Sequence, residues 1–473
     1  MRRRLALLLF LLLAAEVSVA GKPASSNDIF SFASNLADRA LASREPWMEL
    51  VSLCDRIGPR FAGTPAYAAA AAWAAERLRE DGLAVHTETV QIPLWIRGEE
   101  RFDLLTPHAR TLEAQGLGLS VGTPPEGIEA EVRVVGSFDE LAERSSEVKG
   151  RIVLFDAPWK GYGQAVSFRS RGPEAAARAG AVGALVRSVT PASLSTPHTG
   201  MTHREEGVPT VPAAAVTTED ASAIRRLVEA GIPVRVRMQM GARLLGPVAA
   251  STVVGEVCGR ERPHEVVLLG CHLDTWDVGP GAQDDGAGCV VVMEAAALVA
   301  SLPVRPRRTL RVVLFAAEEI GLLGGQAYAE AHAGEAVVAA LELDSGAGPV
   351  TGLGFDVRDP ATGKPDPVEL EAVRDRLAPF LPLLEPLGIR EVTAGGSGPD
   401  VGFLVNAGAV GVGIDQDTAG YWPVHHSAAD TPEKVDPAVL AHTTAVTTVV
   451  AWILAEMPGP IRTSRGSAPT SRS

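Results

Sequence analysis

Four stretches of this 473-residue chain set acids and histidines where an enzyme can use them. The first is His272-Leu273-Asp274, followed by Asp277 and then Gly281-Ala282-Gln283-Asp284-Asp285-Gly286. The second is Glu318-Glu319 and the third is Asp344. The fourth is His425-His426-Ser427-Ala428-Ala429-Asp430-Thr431. Singly, each has an ordinary reading. A His at the end of a strand is usually structural, a Glu-Glu pair is usually a solvated surface, and an Asp after a strand often caps a helix. Jointly they supply a chemistry. A pair of zinc ions about 3.5–4 Å apart clamps a hydrolytic water and a scissile carbonyl. Such a pair takes a bridging carboxylate, and one His and one carboxylate for each ion. The inventory offers five such ligands and one acid left over to act as base.

Something must bring these stretches together. Val266–Gly270, Leu310–Ala316, Val337–Leu343 and Val410–Ile414 are short, continuous apolar runs of strand type. They alternate with helical patterns near Gly288–Ala300 and Leu322–His332, and Ala438–Met457 closes the series. Buried strands alternating with helices predict an α/β fold, a mixed and mostly parallel open sheet with helices on both faces. In such sheets the site lies beyond the carboxyl ends of the strands, and each run is followed there by one of the polar groups. Upstream, residues 27–60 carry an amphipathic helical pattern, an Ala-rich helix runs from Pro65 to Asp81, and Val85–Ile92 alternates as a strand. Gly116–Glu126 (GLGLSVGTPPE) is a strong break. From Gly127 the texture changes to short strands at Ala130–Val135, Arg151–Phe155, Val182–Val186 and Val234–Met240, with helices near Glu174–Ala179 and Glu219–Ala230. A self-contained insert is expected at 123–245, with no metal-spaced cluster of its own.

Composition narrows the function. With 43 Lys and Arg against 57 Asp and Glu, the net charge is −14, which disfavours a nucleic-acid partner. An apolar share of 46% excludes global disorder. Arg2, Arg3 and Arg4 precede the apolar run Leu5–Ala15, and Ser18-Val19-Ala20 reads as a cleavage site. Residues 1–20 are therefore expected to be a signal peptide, the run being too short for a comfortable span. No later stretch reads as long and apolar enough to cross a bilayer. The expected protein is exported, periplasmic or secreted, with no stable membrane span in its mature form. Cys54, Cys258, Cys271 and Cys289 form no CxxC or zinc-knuckle pattern, and both one disulfide and buried free thiols fit them. The polar, basic tail 459–473 is expected to be disordered, which leaves 21–122 and 246–458 for the α/β domain that carries the four stretches.

HLDTWDVGPGAQDDGAG, AAEEIGLLGG, LELDSG and HHSAADT, in that order, resemble the motifs of the co-catalytic di-zinc exopeptidases, the clan MH group of bacterial aminopeptidases and glutamate carboxypeptidases. IPLWIRGEE at Ile92–Glu100, GTPPEGIEAEV at Gly122–Val132, SFDEL at Ser137–Leu141 and TPHTG at Thr196–Gly200 resemble its carboxypeptidase Q branch. The likeness runs from about residue 45 to 457. It implies a zinc aminopeptidase fold with a protease-associated-like insert, and two Zn²⁺ per chain. His272 and Asp344 would hold one ion, Glu319 and His426 the other, and Asp284 would bridge them. Glu318 would be the general base and Asp274 the carboxylate that orients His272. His425 stands where many relatives carry a Tyr, as an oxyanion donor or a packing group. Tyr421 and Trp422 would line the pocket or anchor their loop. Asp285 would serve structure, and Asp400, after Pro399, would support the site or bind a substrate amine. The insert would cover the cleft, or act as a spacer or dimer surface, and a homodimer is implied. The implied activity is hydrolysis of dipeptides or short peptides with free termini. The alternatives are an aminopeptidase for longer peptides, a non-catalytic binding protein on the same fold, and a single-zinc acyltransferase such as a glutaminyl cyclase. The complete set His272, Asp284, Glu318, Glu319, Asp344 and His426 argues against the last two.

Overall fold

The apolar runs lie side by side as expected. A computed structural model describes residues 26–205 and 207–462; the expected signal peptide lies outside the described residues. In the first sheet the strands Arg308–Phe315, Arg262–His272, Ala336–Glu342 and Val410–Gln416 are adjacent and parallel. Arg243–Val257 joins one side antiparallel and carries Ala84–Ile96 at the edge. Val350–Asp356 joins the other side antiparallel, with Thr393–Ala394 beyond it. The sheet has eight strands and is mixed, with its parallel part at the centre.

Side chains of the central strands leave alternately to two cores, the period-two rule of a strand. Val267, Leu269, Leu310, Val312 and Leu314 pack with helices Ser26–Ala42, Ala287–Ala300 and Pro437–Glu456. Val266, Leu268, Val313 and Phe315 pack with Tyr328, Val401 and Leu404 on the opposite face. Helices therefore cover both faces, as the apolar strands require.

One expectation is overturned here. The helix Pro437–Glu456 is long and apolar enough, by length and composition, to cross a membrane, with a mean hydropathy of 1.7 over its best window. It is apolar all round because it is a core helix: 83% of that window is buried, and it packs against helices Ser26–Ala42 and Ala287–Ala300. A second correction concerns the tail. Residues 459–462 are packed rather than loose: Ile461 is buried and its carbonyl accepts from Arg376. The residues after Arg462 lie outside the described chain.

Arg308 explains part of that packing. It is fully buried, donates from Nε to Glu265 Oε2 at 2.7 Å, and caps the carbonyls of Leu454 and Met457 at 3.1 and 2.8 Å. It also donates to the Gly459 carbonyl. Removing one partner of a buried ion pair strands the other. Arg308→Met should therefore lower unfolding stability by about 3 kcal/mol, read as a shifted urea midpoint. An unchanged midpoint would remove Arg308 from the account of how the chain end is held.

The second sheet holds the insert. Its strand order is Arg110–Thr111, Glu100–Thr106, Arg235–Met240, Ile128–Val135, Ile152–Phe155, Gly183–Arg187, Ala213–Val216, Ala114–Gly116. The three strands between Glu100 and Gly116 thus belong to this unit, not to the peptidase sheet where the expected boundary at 123 put them. Glu100–Thr106 pairs with Arg235–Met240, more than a hundred residues on. The chain leaves the first sheet after Ile96 and returns at Arg243, and these two residues are cross-strand partners.

Candidate metal centre

The acids and histidines expected as ligands or base are at the carboxyl edge of the parallel strands, whereas the Asp277 carboxylate pairs with Arg97. His272 is the last residue of its strand. Glu318 and Glu319 follow Phe315, and Asp344 follows Glu342. His425 and His426 lie in the loop after Val410–Gln416. Asp284 sits in the tight turn Ala282–Gly286 that opens helix Ala287–Ala300. Ala317 and His426 adopt left-handed backbone (φ 60 and 58). Non-glycine residues held there cluster at functional sites, because the surroundings must hold them in that region.

Asp284 is the midpoint of the arrangement. Its Oδ1 lies 3.2 Å from His272 Nε2, which is also 3.5 Å from Asp344 Oδ1. Its Oδ2 lies 3.4 Å from His426 Nε2, which is also 3.0 Å from Glu319 Oε2. His425 Nε2 is 3.6 Å from the same Oδ2, and the His425 ring stacks on that of His426. His272, Asp274, Asp284, Glu319, His425 and His426 are buried, while Glu318 and Asp344 are half-buried.

A shell of hydrogen bonds fixes this geometry. Asp430 accepts from the backbone N–H groups of Gln283 (2.8 Å) and Asp284 (3.0 Å), pinning the turn. Asp285 accepts from the N–H groups of His272 and Gly288, both at 3.1 Å. Asp274 does more than orient His272. Its carbonyl oxygen, not its carboxylate, lies 3.0 Å from His272 Nδ1. The carboxylate accepts from the N–H groups of Glu318 (3.1 Å) and Glu319 (3.3 Å), and so locks one strand end to the next. Asp400 is fully buried and accepts from Gly325 N–H, a place that suits support of the site rather than contact with a substrate amine.

The electrostatics call for positive charge. Burial pushes the carboxyls of Glu318, Glu319, Asp285 and Asp400 well above the usual range, and neighbouring acids add to this. Burial raises Glu342 to about 8 and Asp430 to about 7. Burial also acts to raise Asp284, but the hydrogen bond to His272 and the nearby imidazoles hold it low. Burial lowers His425 to about 3, so that ring is neutral. Asp284 Oδ2 and His425 Nδ1 are buried without a hydrogen-bond partner. Against burial, hydrogen bonds to Asp284 and Asp344 push His272 well above the usual imidazole range, while burial lowers His425 and His426. Acids and imidazoles crowded together with an orphaned oxygen make a donor set of the type divalent zinc takes. The ligand atoms of His272, Asp284 and Asp344 lie within 4.8 Å of one another, as do those of Asp284, His425 and His426. The residues fit the metal.

The insert reaches into the same place. Thr199 N–H donates to the His426 carbonyl at 3.0 Å, and His198 Nδ1 lies 2.6 Å from the His425 carbonyl. Arg169, buried on helix Tyr162–Arg178, is 3.1 Å from His426 Nδ1 and donates to the Tyr162 hydroxyl at 2.9 Å. Tyr162 stacks on Trp422, and Tyr421 packs edge-on to His425. Trp276 lies against His426, and Gly118 of the insert lies on Trp276 so closely that a Cβ there would fall 1.9 Å from the indole. Sequence reading missed Arg169, Tyr162, Glu342 and the pinning role of Asp430. His198 and Thr199 stood in the TPHTG motif, but only as a likeness, and Asp430 stood in HHSAADT. Arg169 carries no local signal, since the partner that ties it to the site, His426, comes from the other unit of the chain.

Comparison with known proteins bears on this geometry. Residues 252–451 match Peptidase family M28, and residues 120–224 match the PA domain. Carboxypeptidase Q of Homo sapiens is 39% identical over 437 residues, covering 92% of this chain and 90% of that protein. The chain belongs to peptidase family M28. Carboxypeptidase Q of Xenopus laevis is 38% identical, with 92% and 90% covered. The crystal structure of an M28 peptidase precursor from Shewanella amazonensis superposes with a TM-score of 0.87 at 35% identity, covering 93% of this chain and 99% of that one. A zinc aminopeptidase from Bacillus subtilis has the same fold at TM-score 0.64 and 22% identity, with 87% and 95% covered. This M28 chain is thus a metallopeptidase with a PA domain inserted in its α/β fold, and zinc is the metal its family implies.

Proposed function

We propose that this M28 peptidase is a di-zinc exopeptidase that hydrolyses dipeptides or short peptides with free termini, exported by way of residues 1–20. The observation that carries the reading is the place of Asp284. Its two oxygens face two different histidines, each beside a further carboxylate, His272 with Asp344 and His426 with Glu319. One bridging carboxylate between two such half-sites suits two ions rather than one.

Zinc, when bound, supplies Lewis acidity: it polarises a scissile carbonyl and lowers the pKa of a neighbouring water. Glu318 takes the proton from that water and passes it to the leaving amine. Adjacent side chains leave a strand end in different directions, so Glu319 faces His426 while Glu318 stays free of the ligand set. Asp274 keeps both glutamates in register through their N–H groups. His425 turns Nε2 toward Asp284 and leaves Nδ1 without a partner, and the ring serves as a hydrogen-bond donor to the developing oxyanion. Arg169, Tyr162 and Thr199 close the opening from the insert's side, which excludes water and limits the length of peptide that enters.

The test joins metal analysis to a substrate panel. Zinc-loaded protein should hold about two ions per chain and cleave dipeptides faster than longer peptides. N-acetylated dipeptides separate the termini: loss of cleavage assigns recognition to the free amine, retention to the free carboxylate. A zinc content of one or none, or a zinc-loaded protein that leaves every peptide intact, would sink the reading.

A further inference from the structure

Cys271, on the strand that ends at His272, and Cys289, in the first turn of helix Ala287–Ala300, point their thiols at each other. The two sulfurs are 3.0 Å apart and both residues are fully buried. Cys289 Sγ also lies 3.2 Å from the His272 carbonyl. The cysteines are 18 positions apart, and His272, Asp274, Asp284 and Asp285 all lie between them. Asp285 comes near both sulfurs, but its two oxygens already accept the N–H groups of His272 and Gly288. That leaves the thiols to each other. The other two cysteines have separate surroundings: Cys54 faces the Pro280 carbonyl, and Cys258 is exposed beside the Gly259 carbonyl.

We propose that Cys271 and Cys289 are joined as a disulfide in the mature protein, closing the metal-binding turn into a covalent ring. Side chains that already face each other at this range need only a small torsional change to reach bonding geometry. One thiolate attacks the disulfide of an external dithiol oxidant, giving a mixed disulfide, and the second thiolate displaces the oxidant. The protein pair gives up two protons and two electrons, and the oxidant leaves as two thiols. Both sulfurs are sealed in the folded chain, so the exchange precedes the docking of helix Ala287–Ala300 on its strand. An exported chain folds where such oxidants operate. The ring then holds His272 and Asp284 at a fixed spacing through the backbone itself, independent of metal.

The crosslink is tested on wild-type protein exported with residues 1–20 intact and purified without reductant. Unfolded in denaturant, it should show two reactive thiols, rising to four after reduction. Peptide mapping should join the Cys271 peptide to the Cys289 peptide. Four thiols before reduction, or a bridge that includes Cys54 or Cys258, overturns the proposal. The bracing role has its own readout. A Cys271→Ala/Cys289→Ala double variant should melt roughly 5 °C lower than the oxidised parent and release zinc to a chelator several-fold faster. Equal melting and equal release would overturn the brace, and the thiol count needs no variant to fold.

Discussion

Glu318→Gln is expected to keep its full zinc content and to lose on the order of 10²–10⁴ in kcat/KM, the usual contribution of a general base. The substitution is nearly isosteric and alters no atom of His272, Asp284, Glu319, Asp344 or His426. Among the described residues no hydrogen bond ties the Glu318 carboxylate, so the amide strands no partner. Its backbone N–H keeps its bond to Asp274. The change therefore falls on kcat, with KM little altered, because the lost step belongs to the transition state. Near-normal turnover in a protein that still binds its metal would remove Glu318 from the mechanism.

Asp284→Ala is expected to fail earlier, at the metal itself. Among the described residues Asp284 is the carboxylate that lies within reach of both histidine half-sites. Its loss should leave zinc well below two per chain and activity below detection. The turn need not collapse, because Asp430 holds it through the N–H groups of residues 283 and 284, which the substitution retains. Metal content separates this outcome from that of Glu318→Gln: one variant is loaded and slow, the other is depleted. A variant that holds its full zinc would refute the bridging role.

The two variants rest on residues that were legible in the sequence, and the reason is local. Except for His426, which comes past a loop after Gln416, each proposed ligand or base stands within a few residues of a strand end or a Gly-rich turn, so one apolar run predicts both the strand and the rim where its polar group emerges. The parallel centre of the sheet was legible for the same reason. The flanks were not. Glu100–Thr106 pairs with Arg235–Met240 across the whole insert, and no local periodicity encodes such a register. Pro437–Glu456 has an apolar face on every side, which composition alone does not distinguish from a span. The groups around the metal centre that escaped notice are those whose partners lie far along the chain, Asp430 with Gln283 and Asp284, Glu342 with Val401, Arg169 with His426. Arg169 reads as one charge on an Ala-rich helix until the fold sets it against His426. Asp274 divides its work: its carbonyl lies nearest His272 Nδ1, and its carboxylate, 3.9 Å from the same nitrogen, also accepts from the glutamate pair, a distinction that only coordinates resolve.

The departure and return of the chain at Ile96 and Arg243 have a consequence for descent. Because these residues already face each other across paired strands, the polypeptide between them is a cassette: deleting it leaves two ends that a tight hairpin can close, with no strand of the catalytic sheet re-threaded. The peptidase sheet and the insert can thus be exchanged, lost or acquired as separate genetic units, each change leaving the strand ends that bear the acids in place while altering the insert's hold on His425 and His426.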